Sequence, residues 1–298
     1  MLIPALIALA IVIGGVAAWR TWYVRRVERE DAARPRGAAG VLLGAEAFEL
    51  ERANAPAVLL VHGAGDTPQT LRGLGEFLHA RGFAVSAPLL PGHGRTVREF
   101  REVSAKQWRT TLHAAFEDLR RRHRWVGMVG LSLGGALSAL EAADRDDLPA
   151  LVLLAPFVGL PWTLRVAVAL SGVAGLVTPY FPSSDPRSVR DPVAAAKGLA
   201  FGVFTPAAAQ ALREVADDAF EALDRVRAPT LIVQSPEDNR VAPAVAERAL
   251  HRLGCTDKRL EWVRDGGHVI TVDFGRDRVF ALTLAWLESH GAVPAAVT

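Results

Sequence analysis

The sequence predicts an α/β fold built on a mostly parallel sheet with helices on both faces. Half of the 298 residues are hydrophobic, which is enough to bury a large core. Short apolar runs rich in β-branched residues alternate with segments of helical pattern, as in parallel sheets that helices cover on both sides. The alternation implies right-handed crossovers, and it is interrupted once, by a long insertion of helical composition at about 156–225.

The first element is a candidate transmembrane helix over residues 1–23. Leu2 to Trp19 carries no charge, and a helix of this length reaches about 27 Å, close to the thickness of a hydrocarbon core. Trp19 and Tyr23 suit a membrane interface, and the nearest arginines all follow this stretch, which predicts a cytoplasmic domain. A cleaved signal peptide is the alternative, although the basic residues that usually open such a peptide are missing.

The stretch 24–40 is charged and contains Pro and Gly, and we expect a solvated linker there. The folded domain is expected over 41–298, with the insertion at 156–225 forming a helical cap. Strands are predicted at 47–50, 57–61, 83–88, 125–129, 150–155, 230–234 and 259–263. Helices are predicted at about 68–81, 104–122, 133–144, 242–253 and 277–289.

Composition argues against several classes of partner. Lysine and arginine number 34 against 32 acidic residues, and no basic stripe is interleaved with aromatic residues, so no nucleic-acid partner is predicted. The single cysteine, Cys255, allows no internal disulfide and gives no metal-ligand spacing. The sequence therefore implies neither a metal nor an organic cofactor.

The motif GLSLG at 130–134 follows the apolar run at 125–129 and precedes a helical segment. A serine on such a tight turn is held out at the carboxyl edge of the sheet, and the flanking Gly130 and Gly134 permit the turn. The helix points its N-terminal amides at the same place, which favours negative charge on a reacting oxygen. Ser132 is therefore the predicted nucleophile.

A serine hydroxyl needs a histidine base, and the histidine needs a carboxylate that fixes its tautomer. His268 lies in the loop between the last predicted strand and the last helix, so it is the predicted base. The carboxylate is expected after the strand at 230–234, where Asp238 is the first choice and the adjacent Glu237 stays open as a competitor. Asp273 is closer to His268 in sequence, but we expect it to cap the final helix.

Two backbone amides are expected to face the oxyanion that forms when serine attacks a carbonyl. One belongs to Leu133, directly after the nucleophile, and the other to Ala64 in the glycine-rich loop HGAGD at 62–66. Because only backbone groups are needed in this loop, His62 is expected to be a structural hydrogen-bonding residue rather than a base.

These motifs, in this order, resemble those of the α/β hydrolases, and within that superfamily the small bacterial carboxylesterases and monoacylglycerol lipases. The matching segments are LLVHGAGDTP at 59–68, APLLPGHG at 87–94, GLSLGG at 130–135, APTLIVQSPEDNRV at 228–241 and GGHVITVD at 266–273. The resemblance implies the α/β-hydrolase fold and a triad of Ser132, Asp238 and His268, with Ala64 and Leu133 supplying the oxyanion amides. The N-terminal membrane segment and the long apolar cap depart from the basic family pattern.

The predicted chemistry is hydrolysis of a small ester or a monoacylglycerol through an acyl-enzyme, as in a carboxylesterase or monoacylglycerol lipase. A thioesterase, lactonase or acyltransferase that uses the same triad is the alternative within enzymes. A hypothesis from a different class is a non-catalytic, membrane-tethered lipid-binding protein. In each case the membrane is an expected partner through the N-terminal helix.

The insertion contains an uncharged run at 166–177, which is too short to span a bilayer but suits a cap helix or an interfacial helix. We hypothesise that this run lines an acyl pocket and sits against the membrane beside the anchor, since binding pockets are mostly apolar. The alternative is an ordinary cap helix buried on the sheet domain.

Overall fold

The computed structural model describes residues 2–160 and 162–292; the parts of the predicted anchor, cap and domain that fall on residues 1, 161 and 293–298 lie outside the described residues. The helices are α1 (Leu2–Ala32), α2 (Gln69–His79), α3 (Ala105–Arg122), α4 (Leu133–Ala143), α5 (Trp162–Val177), α6 (Pro192–Ala196), α7 (Pro206–Ala222), α8 (Pro243–Arg252) and α9 (Arg276–Ser289). The strands are β1 (Phe48–Leu50), β2 (Ala57–Val61), β3 (Ala84–Ala87), β4 (Val126–Leu131), β5 (Leu151–Leu154), β6 (Phe181–Pro182), β7 (Val203–Phe204), β8 (Thr230–Gln234) and β9 (Lys258–Trp262).

Seven strands form one sheet in the order β1-β3-β2-β4-β5-β8-β9. β1 pairs antiparallel with β3, and every other neighbouring pair in this sheet is parallel. β2, β4, β5 and β8 are buried along their whole length, which explains their largely apolar sequences. Val61 stands opposite Gly130, and Gly130 opposite Leu153, so the carboxyl ends of the three central strands lie side by side. The predicted fold class is confirmed.

Helices cover both faces of the sheet and close two apolar cores. On one face α3, α4, α7 and α8 contribute side chains that include Trp108, Phe116 and Leu137. On the other face α2 and α9 contribute side chains such as Leu74 and Leu287. Each large, fully buried side chain stabilises the fold by about 1.5–3 kcal/mol. This double-sided core fixes the strand ends from which the candidate site is built.

The insertion between β5 and β8 divides into two parts. Its last helix, α7, packs beside α4 in the helical layer, with Val215 and Ala219 fully buried in the sheet core. The cap therefore ends near Thr205, earlier than the predicted boundary at about 225. The cap also contains β6 and β7, paired antiparallel with Phe181 opposite Phe204. The sequence predicts no strand there, because a strand of two residues is too short to show an alternating pattern.

α1 continues beyond the predicted span and ends at Ala32. The predicted linker over 24–40 is therefore not solvated coil in its first part, which is helical and lies against the domain. Val27 and Asp31 are buried there, and the Asp31 carboxylate accepts a hydrogen bond of 3.2 Å from the Val97 amide. These tertiary contacts stabilise helix where the local composition alone favours an extended tether.

Within the described residues, α1 is the one helix long and apolar enough to cross a membrane. Its most apolar window of 18 residues has a mean hydropathy of 2.0, and none of that window is buried. Membrane anchors and signal sequences share this length and composition.

Candidate active site

Ser132 lies on the tight turn between β4 and the N-terminus of α4. Its backbone has φ 54° and ψ −112°, a conformation that is strained for any residue with a side chain. The turn depends on its glycines: a Cβ on Gly134 would stand 2.0 Å from the carbonyl oxygen of Val61, and one on Gly130 would stand 2.2 Å from that of Gly134. The chain thus makes the sharp strand-to-helix turn that the G-x-S-x-G motif predicts.

His268 and Asp238 meet Ser132 at this edge of the sheet, from the loops that follow β9 and β8. His268 Nε2 is 2.9 Å from Ser132 Oγ, and His268 Nδ1 is 2.8 Å from Asp238 Oδ2. Both are hydrogen-bond distances, and the carboxylate at Nδ1 selects the tautomer whose Nε2 accepts the serine proton. The three residues are buried, with exposed fractions of 7%, 8% and 9% for Ser132, Asp238 and His268.

The Asp238 carboxylate accepts four hydrogen bonds. Oδ1 accepts from the backbone amides of Arg240 at 2.7 Å and Val241 at 2.9 Å, and Oδ2 accepts from His268 and from Gln234 Nε2, each at 2.8 Å. Burial alone raises the pKa of Asp238, but the hydrogen bond and charge of His268, with the two amides, lower this pKa by more. The net pKa lies below its usual range, so the carboxylate is ionised at neutral pH. Gln234 is not among the predicted site residues, and its only signal in the sequence is its place at the end of β8.

The adjacent acid, Glu237, has different surroundings. Its carboxylate forms an ion pair with Arg190, and both side chains are 45% exposed. Of the two candidates that the sequence leaves open, Asp238 is the one that faces His268.

Asp273 is fully buried, and the prediction that it caps the final helix is wrong, because Gly275 precedes α9. The Asp273 carboxylate instead accepts hydrogen bonds from the backbone amides of Gly267 (2.8 Å), Arg190 (2.8 Å), Asp191 (2.9 Å) and Phe274 (3.0 Å). Two of these amides lie in the cap and one is next to His268. Asp273 therefore joins the returning end of the cap to the loop of His268, a structural role that the sequence does not reveal.

The amides of Ala64 and Leu133 lie on the two segments that border Ser132. A Cβ on Gly63 would stand 3.5 Å from that of Ser132, so the loop after β2 lies against the serine. Within the described part of the chain, neither of the two amides donates to an acceptor. Leu133 is the first residue of α4, where the helix dipole favours negative charge. The oxyanion role of the two amides stays a prediction.

Two buried histidines hold the loop of Ala64 in place. His62 Nε2 accepts a hydrogen bond of 3.0 Å from the Leu90 amide, and His93 Nε2 accepts one of 2.9 Å from the Gly65 amide. Burial lowers the pKa of His62 well below its usual range and lowers the pKa of His93 to about 4. Both rings are therefore neutral acceptors at neutral pH, which is the structural role that the sequence predicts for His62.

The cap reaches the same loop through Phe204 on β7. A Cβ on Gly65 would stand 3.6 Å from the Phe204 ring, and this ring meets Phe100 edge-on with 5.4 Å between centroids. Asp66 follows on the loop, and its Oδ2 accepts a hydrogen bond of 2.6 Å from Thr70 Oγ1. Burial raises the pKa of Asp66 to about 6 against the opposing effect of that hydrogen bond. The sequence gives no signal for the aromatic pair or for the burial of this carboxyl group.

The uncharged run at 166–177 forms most of α5, and its larger side chains face outward. Leu170 is 60% exposed and Val173 is 66% exposed, whereas Val168 and Ser171 form a buried inner side. The hypothesis that the run lines an acyl pocket is therefore wrong for the outward side chains. The alternative of a helix buried on the sheet domain is wrong for the same side chains.

The sheet order, the strained turn at Ser132 and the hydrogen bonds that join Ser132 through His268 to Asp238 are those of an α/β hydrolase. Residues 52–274 match the family described as "Serine aminopeptidase, S33", and the chain belongs to this family. Over residues 2–160 and 162–292, no group of three or more His, Cys, Asp or Glu side chains is arranged to hold a metal ion.

Several relatives and solved structures that resemble this chain carry names of lipases or esterases. The chain is 29% identical over 251 residues to a thermostable monoacylglycerol lipase of Bacillus sp. (strain H-257), which covers 84% of this chain and 97% of that protein. It is 26% identical over 235 residues to a carboxylesterase of Bacillus subtilis (strain 168), with 78% and 92% covered. The structure of one of two metagenome-derived lipolytic enzymes, LipS and LipT, matches with a TM-score of 0.76 at 29% identity, and the match covers 84% of this chain and 100% of that one. The predicted resemblance to esterases and lipases is confirmed.

Proposed function

We propose that the protein is a serine hydrolase that cleaves carboxylic esters, with the activity of a carboxylesterase or a monoacylglycerol lipase. The observation that carries the proposal is the pair of hydrogen bonds, 2.9 and 2.8 Å long, that connects Ser132 Oγ through His268 to Asp238. The names of the monoacylglycerol lipase and the carboxylesterase that resemble the chain support an ester as the target.

The proposed reaction proceeds in two acyl-transfer steps. Ser132 Oγ attacks the ester carbonyl carbon while His268 Nε2 takes the hydroxyl proton, and the oxyanion accepts hydrogen bonds from two backbone amides, those of Ala64 and Leu133. The imidazolium, paired with ionised Asp238, gives this proton to the departing alkoxide, which leaves as the alcohol. Water then attacks the acyl-enzyme with His268 again as base, and departure of the carboxylic acid restores the serine.

We propose an aliphatic acyl group as the part of the substrate that fixes specificity. Phe204, which is partly buried and packs edge-on against the fully buried Phe100, gives the loop of Ala64 an apolar neighbour on which a hydrocarbon chain can be removed from water. No charged side chain is needed to bind such a group, and the name of the monoacylglycerol lipase supports it.

We further propose that residues 1–23 are a single-pass membrane anchor and that the catalytic domain, within 41–298, lies in the cytoplasm. The uncharged first part of α1 and the arginines that follow it support this orientation. Mass spectrometry of the chain isolated from membranes tests the anchor, because a cleaved signal peptide removes the first residues. Accessibility of the domain to protease from each side of sealed vesicles tests the orientation.

Labelling with a fluorophosphonate tests the catalytic proposal, because this probe reacts only with an activated serine. The full-length protein in detergent is expected to label, Ser132→Ala is expected not to, and Ser138→Ala, which removes a buried hydroxyl on α4, is the matched control. A wild-type chain that takes up no probe, or a Ser132→Ala variant that labels equally, contradicts the enzyme and favours a non-catalytic lipid-binding protein.

A substrate panel separates the ester hydrolase from other enzymes with the same triad. We expect the highest kcat/KM on p-nitrophenyl esters and monoacylglycerols, compared with thioesters and lactones. Added glycerol distinguishes an acyltransferase, since it diverts the acyl group to a new ester without changing the rate of acyl-enzyme formation.

A further inference from the structure

α5 has an outer face that is unusual for a helix exposed to water. Val166, Leu170, Val173 and Val177 follow one another at helical spacing and form one stripe, and the neighbouring Leu176 is 75% exposed. No charged residue occurs between Val166 and Val177. A helix on the surface of a globular protein carries polar side chains on its outer face, so this face calls for an apolar partner.

α1 packs against the cap at the end of this same helix. Tyr23, Val24 and Val27 form an apolar cluster with the fully buried Tyr180, which lies just beyond the end of α5. Glu28, the residue after Val27 on α1, accepts a hydrogen bond of 3.0 Å from the Tyr180 hydroxyl.

Charged contacts strengthen this junction. Glu28 pairs with Arg98 and, at 4.0 Å, with Arg101, and its side chain is 15% exposed. The hydrogen bond from Arg98 holds the pKa of Glu28 below its usual range. Apolar contacts and the hydrogen bond from Tyr180 therefore join the anchor helix to the cap, and the ion pairs of Glu28 join it to the segment after β3.

The geometry of α1 gives the level of the membrane relative to the cap. α1 is continuous from Leu2 to Ala32, so no flexible joint separates its exposed apolar part from the part that binds the domain. Trp19 stacks on Tyr23 with 5.3 Å between ring centroids, and such aromatic pairs mark a membrane interface. Because Tyr23 also belongs to the cluster of Tyr180, the end of α5 stands beside this interface.

We propose that the outward face of α5, from Val166 to Val177, is a membrane-binding surface that lies in the bilayer leaflet from which α1 emerges. A bilayer fits better than a second copy of the chain, because α1 delivers α5 to the lipid surface at high effective concentration. Arginines follow the apolar part of α1 and complement anionic headgroups. A consequence that rests on the proposed function is that an amphiphilic ester enters the site directly from the leaflet.

Site-specific fluorescence tests this surface without using activity. The full-length chain, with Cys255→Ser to remove its native thiol, receives one cysteine at Val173 or, as a control, at Asp277 on α9, whose side chain is 93% exposed. Each is labelled with a nitrobenzoxadiazole dye and reconstituted in vesicles of phosphatidylcholine and phosphatidylglycerol. We expect doxyl-labelled lipid to quench the dye at 173 at least about threefold more than at 277, and aqueous iodide to show the opposite order.

Two results overturn the proposal. One is equal quenching of both positions by iodide, which places the α5 face in water. The other is protection of the dye at 173 from iodide that disappears when the protein is diluted into more lipid. That result identifies a second copy of the chain as the occupant of the surface.

Kinetics test the delivery of substrate. The double variant Leu170→Asp, Val173→Asp is expected to lower kcat/KM about tenfold for monoacylglycerol presented in vesicles and to leave a water-soluble p-nitrophenyl ester unaffected. Ala244→Asp, on the exposed side of α8, adds a charge elsewhere and is expected to change neither. An equal loss on both substrates overturns direct entry from the leaflet. If the wild type cleaves neither ester, the proposed function fails, while the quenching measurement still decides the membrane surface.

Discussion

Replacement of Asp238 by Asn tests the arrangement of the candidate triad in a way that leaves its shape unchanged. Asn Oδ1 can keep the hydrogen bonds from the Arg240 and Val241 amides, so the new NH2 group takes the place of Oδ2. That group donates to His268 Nδ1 and forces the tautomer that carries its proton on Nε2. The ring then presents a donor to Ser132 and cannot take the serine proton.

The expected loss of activity follows because His268 in this tautomer cannot act as a base. The wrong tautomer is associated with a fall of about 10⁴ in kcat in serine proteases with this triad, which corresponds to about 5 kcal/mol of transition-state stabilisation. Gln234 limits the effect on stability, because its amide can turn so that its unpaired oxygen accepts from the new NH2 group. We therefore expect kcat/KM on a p-nitrophenyl ester to fall by about 10³–10⁴ while the midpoint of thermal unfolding changes little.

The matched control is Glu237→Gln, which makes the same chemical change on the adjacent residue and removes only an exposed ion pair with Arg190. It is expected to retain activity within about twofold, since such pairs contribute little. Asp238→Asn activity within about tenfold of wild type, with an unchanged unfolding midpoint, refutes the assignment of Asp238 as the residue that orients His268.

Three further changes have defined outcomes. Asp66→Asn is expected to raise the thermal unfolding midpoint above that of the wild type at pH 8 but not below pH 4. Burial raises the pKa of Asp66 from 3.8 to about 6, so the wild type loses stability as the pH rises from about 4 to about 6. A difference in midpoint between variant and wild type that is the same at every pH contradicts this. Gly134→Ala is expected to abolish fluorophosphonate labelling, because its Cβ would stand 2.0 Å from the Val61 carbonyl oxygen, and normal labelling contradicts the need for this close approach. Asp273→Asn is expected to destabilise the fold by about 2–4 kcal/mol, since its NH2 group opposes amide donors of the cap and the His268 loop, and an unchanged denaturant midpoint contradicts that role.

Elements buried on both sides of the sheet could be predicted from the sequence because burial dictates their composition. β2 (Ala57–Val61) and β8 (Thr230–Gln234) have the predicted bounds, and both are buried throughout. The order of the candidate triad could be predicted for a related reason: parallel strands end at one edge, so residues that follow β4, β8 and β9 meet there. The distances that join Ser132, Asp238 and His268 agree with that prediction, while their catalytic role stays a proposal.

Features that could not be predicted depend on partners far away in the chain. Asp238 and Glu237 are adjacent acids, and their roles differ because two later amides turn back onto one carboxylate and not onto the other. The position of Asp273 just before α9 is typical of a residue that caps a helix N-terminus. Two of its hydrogen-bond donors instead lie in the inserted cap, 82 and 83 residues away.

The orientation of α5 could not be predicted either, since an uncharged run suits a buried or an outward face equally well. The direction of that run is set by which side finds apolar neighbours, and α7 and the segment after β5 supply them for the side of Val168. Local sequence therefore shows which contacts a side chain is able to make, and the tertiary structure decides which of them it does make.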